Sequence, residues 1–285
     1  MNKSIFSDLY YKVFKSGNPL FLFIGINVAV FVLVKLVAVF EFLITGSTST
    51  SEWVNFQLSM PAALLPLLYK FWTILTYMFA HDGLFHILFN LLWLYWLGQI
   101  FLDFLNSRQF IFTYLAGGLA GAFLFIVAYN VFPVFRPVLP VAVLIGSSAS
   151  VMAVVAATAT LLPDFTIRML LLGAVRLKYL ALVYFVIDLI GIVGPNPGGS
   201  IAHIGGAVLG FLYIKQLRKG DDWSKIFQKR RKLKIVQKDN PAAAKVSRLP
   251  DQEVIDQILD KISKSGYDSL SSKEKEQLFK ASNRG

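Results

Sequence analysis

Long apolar runs separated by short polar breaks organise the first 217 residues of the chain. About 20 apolar residues suffice for a helix to cross a bilayer, and the pattern predicts six crossings. The first is PLFLFIGINVAVFVLVKLVAVFEFLI, from Pro19 to Ile44. After the polar stretch TGSTSTSEWVNF comes a half-apolar region, 56–80, broken by Pro61, Pro66 and Lys70. Those breaks predict a re-entrant or interfacial element in place of a span. The second span is Phe85 to Leu105, and the third, after the loop NSRQ, is Phe110 to Phe132. Three prolines and an arginine make 133–145 a loop. The fourth span starts near Ser147 and stops at Pro163, which makes it short. PDFTIRMLLLGAVRLK carries three cations and reads as interfacial. The fifth span is Lys178 to Val193. The Gly/Pro loop GPNPGGS leads to the sixth, IAHIGGAVLGFLYIKQL.

Composition agrees with this pattern. The chain is 55% hydrophobic and 16% charged, with mean hydropathy +0.59, against roughly 25% charged residues in soluble domains. There are no cysteines, which excludes disulfides, thiol catalysis and Cys-based zinc sites. The first 18 residues are mixed polar and aromatic, and the apolar run after them is too long for a signal-peptide core. The first span is therefore expected to be retained.

Charge orients the spans. Of 28 Lys and Arg, 18 lie from Lys215 onward, so the net charge of +11 belongs mainly to a tail. Cytoplasmic loops collect Lys and Arg. Placing Lys3, Lys12, Lys15, Arg108, Arg168, Arg176, Lys178 and the tail on the inside leaves only Lys70 and Arg136 in outside loops. Both termini are then cytoplasmic, as in a multi-pass protein of a bacterial inner membrane. Lys35 is left within the first span, where facing the bundle interior would shelter it. The starts of spans two, four and six, with His86, Ser148 and His203, share the outer half of the membrane, so a site there opens toward the periplasmic side.

Polar side chains are costly in a membrane and mark candidate functional groups. The three histidines, His81, His86 and His203, all map to that half. So does the cluster GSSAS, 146–150. Water-satisfied interfacial residues would explain one histidine, but three beside a serine cluster is a different pattern. Gly206 and Gly210 form a G-x-x-x-G pair below His203, a spacing that lets helix backbones approach closely. Span four is small along one side, through Ala149, Ala153, Ala156, Ala157 and Thr160. Packing of these two faces brings His203 within reach of a serine. A hydroxyl beside an imidazole is the minimal unit for nucleophilic acyl transfer, because the base takes the proton as the oxygen attacks. No acidic residue accompanies either partner in sequence. Asp188, in span five at the same depth, is a candidate orienting third member, and a two-residue dyad is the simpler arrangement.

The tetrahedral intermediate of such a reaction needs hydrogen-bond donors. A helix start supplies free N–H groups, and Gly146 permits a tight entry turn. His86 and Asn90 are four apart on one helix face and are further candidates. Asn90 serves equally well as a hydrogen bond to another span. Ser150 falls about 200° round the helix from Ser148 and is expected to face away.

Together these residues resemble the rhomboid family of intramembrane serine proteases. GSSA at 146–149 is similar to the family's G-x-S-G motif, AHIGGAVLG at 202–210 to its A-H-x-x-G-x-x-x-G helix, and HDGLFHILFN at 81–90 to its H-x-x-x-x-H-x-x-x-N region. The resemblance spans about residues 15 to 220. It implies an all-α, six-helix membrane bundle and hydrolysis of peptide bonds in or near substrate transmembrane segments. It further implies Ser148 as nucleophile and His203 as general base. His86 and Asn90 are the implied oxyanion-side donors, and His81 has a structural role. No cofactor and no metal are implied. Three departures stand out: Ala149 replaces a usual glycine, Thr73 follows Trp72 where arginine is frequent, and Met152 replaces a frequent aromatic. The 56–80 element is expected to shape the lateral wall of the site.

Beyond Leu217 the chain becomes polar. The stretch 218–250 reads as a basic juxtamembrane linker, and its run QKRRKLK as contact with anionic lipid; nucleic acid is not needed to explain it. DQEVIDQILDKISKSGYDSLSSKEKEQLFKAS predicts two short helices around a Gly-Tyr turn, with Ile255, Ile258, Leu259 and Ile262 as an apolar stripe. This segment is similar to a small helical motif that follows some Bacteroidota rhomboid cores. The rival readings are weaker. A catalytically inactive binding and escort protein usually lacks the serine or the histidine. A transporter needs intramembrane charges in both halves. A zinc site needs a carboxylate or H-E-x-x-H spacing.

Overall fold

The computed structural model describes residues 5–169, 173–227 and 252–282. The chain forms two compact units, 1–228 and 229–285. The first is an all-α membrane bundle of six principal helices: α1 (Pro19–Thr45), α2 (Leu84–Phe104), α3 (Ser107–Val131), α4 (Ser148–Leu161), α5 (Leu177–Gly191) and α6 (Pro197–Arg218). Among the described residues, α1, α2, α3 and α6 are long and apolar enough to cross a membrane. The 14 residues of α4 rise about 21 Å, short of the ~30 Å hydrocarbon core. At least one end of α4 therefore lies below the membrane surface.

Local chemistry sets the helix ends. Asn18 accepts a hydrogen bond from the Leu20 N–H, Pro19 follows it as the first helical residue, and Gly46 closes α1 at φ 73°. The NSRQ sequence read as a loop is instead the start of α3. Asn106 and Gln109 form a reciprocal capping box there, which satisfies two N–H groups that would otherwise be orphaned. The Gly/Pro loop is likewise shorter than predicted. Asn196 caps the Gly199 N–H and Pro197 takes the first position of α6, where its missing N–H costs nothing. PGGS is thus the first turn of the helix that carries His203.

The 56–80 region does not span. It folds into short helices, Ser49–Leu58, Leu64–Tyr69 and Thr73–Thr76. Lys70 lies 3.5 Å from the Phe56 ring centre, and the Trp72 indole donates to the Gln57 carbonyl at 2.9 Å. With Thr73 beside Trp72, it is Lys70 that supplies the cation bridging these helices. Two antiparallel pairs were not foreseen. In the first, β1 (Met60–Pro61) meets β2 (Val143–Leu144). In the second, β3 (Thr166–Met169) pairs with β4 (Gly173–Arg176) in the segment expected to be interfacial.

The core is a seam of small residues. A Cβ on Gly206 would collide with the Ala149 carbonyl, and one on Gly210 with the Ala153 carbonyl. So α4 and α6 pack backbone to backbone, as the small faces predicted. The sequence reading missed a third partner. Gly117, Gly118 and Gly121 put α3 against the same seam, where a Cβ would meet Ala153, Ser150 and Ala149 respectively. The methyl of Ala149 thus fits against a residue that has none.

Polar ties cross the bundle at two further places. Asn27, fully buried in α1, donates to the Phe23 carbonyl and the Tyr114 hydroxyl. Lys35 reaches the Asp82 carbonyl at 3.0 Å, so its charge tethers the loop before α2. At the other end, residues 218–227 are not linker. Asp222 accepts from Arg108 at 2.8 Å and from Tyr213 at 3.0 Å. Burial works against this carboxylate, but hydrogen bonds from Ser224, Tyr213 and Arg108 outweigh it and hold the group below its usual range. The rest of the predicted linker, including QKRRKLK, lies outside the described residues.

The second unit contains α7 (Gln252–Ser265) and α8 (Ser272–Ser282) around a turn at Tyr267–Ser269. Ile258 is buried, and Ile255 and Ile262 are half-buried beside it. Leu259 is exposed, so it does not belong to the predicted stripe. Ser271 and Glu274 exchange hydrogen bonds across the start of α8, and Lys261 pairs with Glu274 at 2.9 Å.

Candidate active site

Helices α2, α4, α5 and α6, with β2 and Ile145 after it, line a cavity of about 920 Å³. Ser148 and His203 both line it, as do His86, Asn90, Met152 and Asp188. No residue of 56–80 does. That region acts from behind the site: β1 pairs with β2, and the Tyr77 carbonyl accepts the Gly146 N–H at 2.9 Å. It clamps the serine loop and does not form the wall.

The three serines separate. Ser148, the first residue of α4, is half-buried and opens to the cavity. Ser147 is fully buried, with its hydroxyl 3.1 Å from His81 Nε2. Ser150 is buried against Gly118 of α3, on the side away from the cavity as helix geometry requires. Its Oγ has no partner among the described residues.

Gly146 provides space, not a donor. Its φ is +122°, a region that side chains rarely adopt. A Cβ there would lie 2.6 Å from His86 Nε2 and 3.7 Å from Ser148 Oγ. The His86 ring edge therefore rests on the glycine beside the serine hydroxyl. The N–H of Gly146 is spent on Tyr77. No side chain caps the start of α4, because the Ser147 hydroxyl is turned toward His81.

Two histidines that line the cavity hold a carboxylate on Nδ1. His86 Nδ1 is 2.5 Å from Asp82, whose side chain is 68% exposed. His203 Nδ1 is 2.7 Å from Asp188, whose side chain is 10% exposed. Among the described residues, Nε2 of each ring has no hydrogen-bond partner. Among the described residues no hydrogen bond joins Ser148 to His203, a spacing common before substrate tightens a site. Asn90 donates to the His86 carbonyl of its own helix at 2.9 Å, not to another span. One of its two amide hydrogens remains for the cavity.

Of these partners, Asp82 escaped the sequence reading. It stands four residues before His86, a helix-neighbour spacing that was available as a signal. Behind the site, Gly206 rests on the Ala149 carbonyl and Gly210 on that of Ala153.

A family model described as Rhomboid domain matches residues 69–220, more than half of the chain. It begins after α1, so the first span lies outside it. A second, described as Family of unknown function (DUF6576), matches residues 245–284. No curated protein matches.

Proposed function

The chain belongs to the rhomboid family, and from that premise we propose that it is an intramembrane serine endopeptidase that hydrolyses peptide bonds in or near transmembrane segments of other membrane proteins. One observation carries this reading: Ser148 and His203, from two helices packed backbone to backbone, open into one cavity, while the neighbouring serines do not. No cofactor enters the chemistry.

Ser148 Oγ attacks the scissile carbonyl carbon, and His203 Nε2 takes its proton. Negative charge develops on the carbonyl oxygen. The donors grouped around it are the remaining Asn90 amide hydrogen, the uncapped N–H groups at the start of α4, and His86, whose Nε2 beside Gly146 donates in the imidazolium form, with Asp82 holding Nδ1. Collapse breaks the C–N bond, and His203 returns the proton to the leaving amine. Water then attacks the acyl-serine by the same route. A bound helix hides its carbonyls, so the substrate segment unwinds to reach Ser148. In this reading both termini face the cytoplasm, the cavity opens on the opposite side of a bacterial inner membrane, and the basic tail lies near anionic headgroups.

The test is labelling with a serine-reactive fluorophosphonate alongside cleavage of a transmembrane reporter. Ser148→Ala is expected to lose both, a fall of roughly 10⁴-fold or more in turnover. Ser147→Ala and Ser150→Ala are expected to keep labelling. Loss confined to either of those two would move the nucleophile. A wild-type chain that neither labels nor cleaves would favour a binding and escort role.

A further inference from the structure

Asp188 sits in the membrane helix α5, between Val186, Ile187, Leu189 and Ile190, which are 43–65% exposed. It alone of these is turned inward and buried. A buried carboxylate at that depth is costly unless it is paired. Among the described residues its sole hydrogen-bond partner is His203 Nδ1, at 2.7 Å. The pair joins two helices, and His203 is in turn fixed by the seam below it, where Gly206 and Gly210 meet α4.

A neutral imidazole carries one proton, and the hydrogen bond made by one nitrogen decides which nitrogen holds it. An acceptor on Nδ1 places the proton there and leaves the Nε2 lone pair free. The Nε2–H tautomer cannot accept a proton from a hydroxyl at that edge. A free ring also turns about its side-chain bonds, and burial beside a fixed carboxylate removes that freedom.

We infer that Asp188 is a positioning residue that fixes the tautomer and orientation of His203, so that the site works as a Ser148–His203–Asp188 relay and not as a two-residue dyad. This rests on the protease reading above. Asp188 does not become protonated in the cycle. It holds the ring while the ring gains and loses one proton at Nε2.

The alternative is a purely structural ion pair between α5 and α6. The two differ in what they move. A structural pair sets thermal stability, whereas a positioning residue sets the rate of acylation in a protein that is still folded. Asp188→Asn and Asp188→Ala in the full chain are expected to lower reporter kcat and the fluorophosphonate labelling rate by about 10²- to 10³-fold, with KM within about threefold. Formate is expected to restore part of the Asp188→Ala rate. A second measurement needs no Asp188 variant. The chain has three histidines, so ¹⁵N-histidine NMR of the wild-type protein resolves each ring, assigned through His81→Gln and His86→Gln. His203 is expected in the Nδ1–H form at neutral pH. Finding it as Nε2–H would overturn the inference. So would Asp188→Asn and Asp188→Ala labelling within threefold of wild type. If those variants label normally while Ser148→Ala is inactive, the relay falls and the protease reading stands. If Ser148→Ala remains active, the nucleophile assignment falls and the relay with it; if the wild-type chain neither labels nor cleaves, the protease reading falls, whatever tautomer His203 adopts.

Discussion

Helices α1 and α6 cross the same bundle on opposite terms. The most apolar 18 residues of α1 have mean hydropathy 2.6, and 22% of them are buried. Those of α6 have mean hydropathy 1.3, and 56% of them are buried. The less apolar helix is the more deeply packed. In water the order would be reversed. In lipid, large apolar side chains gain nothing by facing another helix, because the acyl chains are as apolar as they are. What favours the interior is close backbone contact and partners for polar groups. So Phe40, Leu43 and Ile44 of α1 point outward, 58–82% exposed as a run with Phe42, while the glycines and the histidine of α6 point inward.

The sharpest way to break this contrast is to give α6 a side chain on its buried face. Gly210→Val puts a branched group against the Ala153 carbonyl, a backbone atom that cannot step aside. The expected result is loss of monodisperse protein, or a thermal midpoint lowered by the equivalent of about 3 kcal/mol or more. A normal melting curve would show that the seam is looser than its geometry.

A second test turns to the second unit, whose helices are polar and charged. In the second unit Ile258 is buried and the charges lie outward. Hydrogen bonds from Ser271, then Lys261, hold the Glu274 carboxyl at about 2, below its ordinary 4.5. A depressed carboxylate contributes stability above its unfolded value and loses it as pH falls through the folded one. The Ser271 and Glu274 amide signals are expected to hold down to about pH 4.5 and to shift progressively toward pH 2. A transition centred well above 4.5 would contradict the capping arrangement.

The smallest effect belongs to the lipid face. Phe40→Ala and Leu43→Ala on α1 are expected to change stability by no more than about 0.5 kcal/mol, as for exposed positions generally. A loss above about 2 kcal/mol, measured by thermal unfolding in the same detergent, would mean that α1 packs against a partner there.

The membrane class and the six helices follow from the sequence alone, which also singled out His86, Asn90, Ser148, Asp188 and His203 among the residues lining the cavity, but not Asp82. Each rests on local information. Apolar run length predicts a span, and a polar group inside one marks a functional candidate. The boundaries it misplaced, at NSRQ and PGGS, are those where loop-like residues serve as caps, so composition there suggests the wrong element. The tertiary structure decided the pairings. Asp188 meets His203 across 15 residues, Ser147 meets His81 across 66, and Gly121 takes the Ala149 methyl from another helix. Helical periodicity says which face a residue occupies, but not which neighbour that face will meet. Which neighbour it meets depends on how closely the backbones approach, and here the glycines of three helices set that distance together.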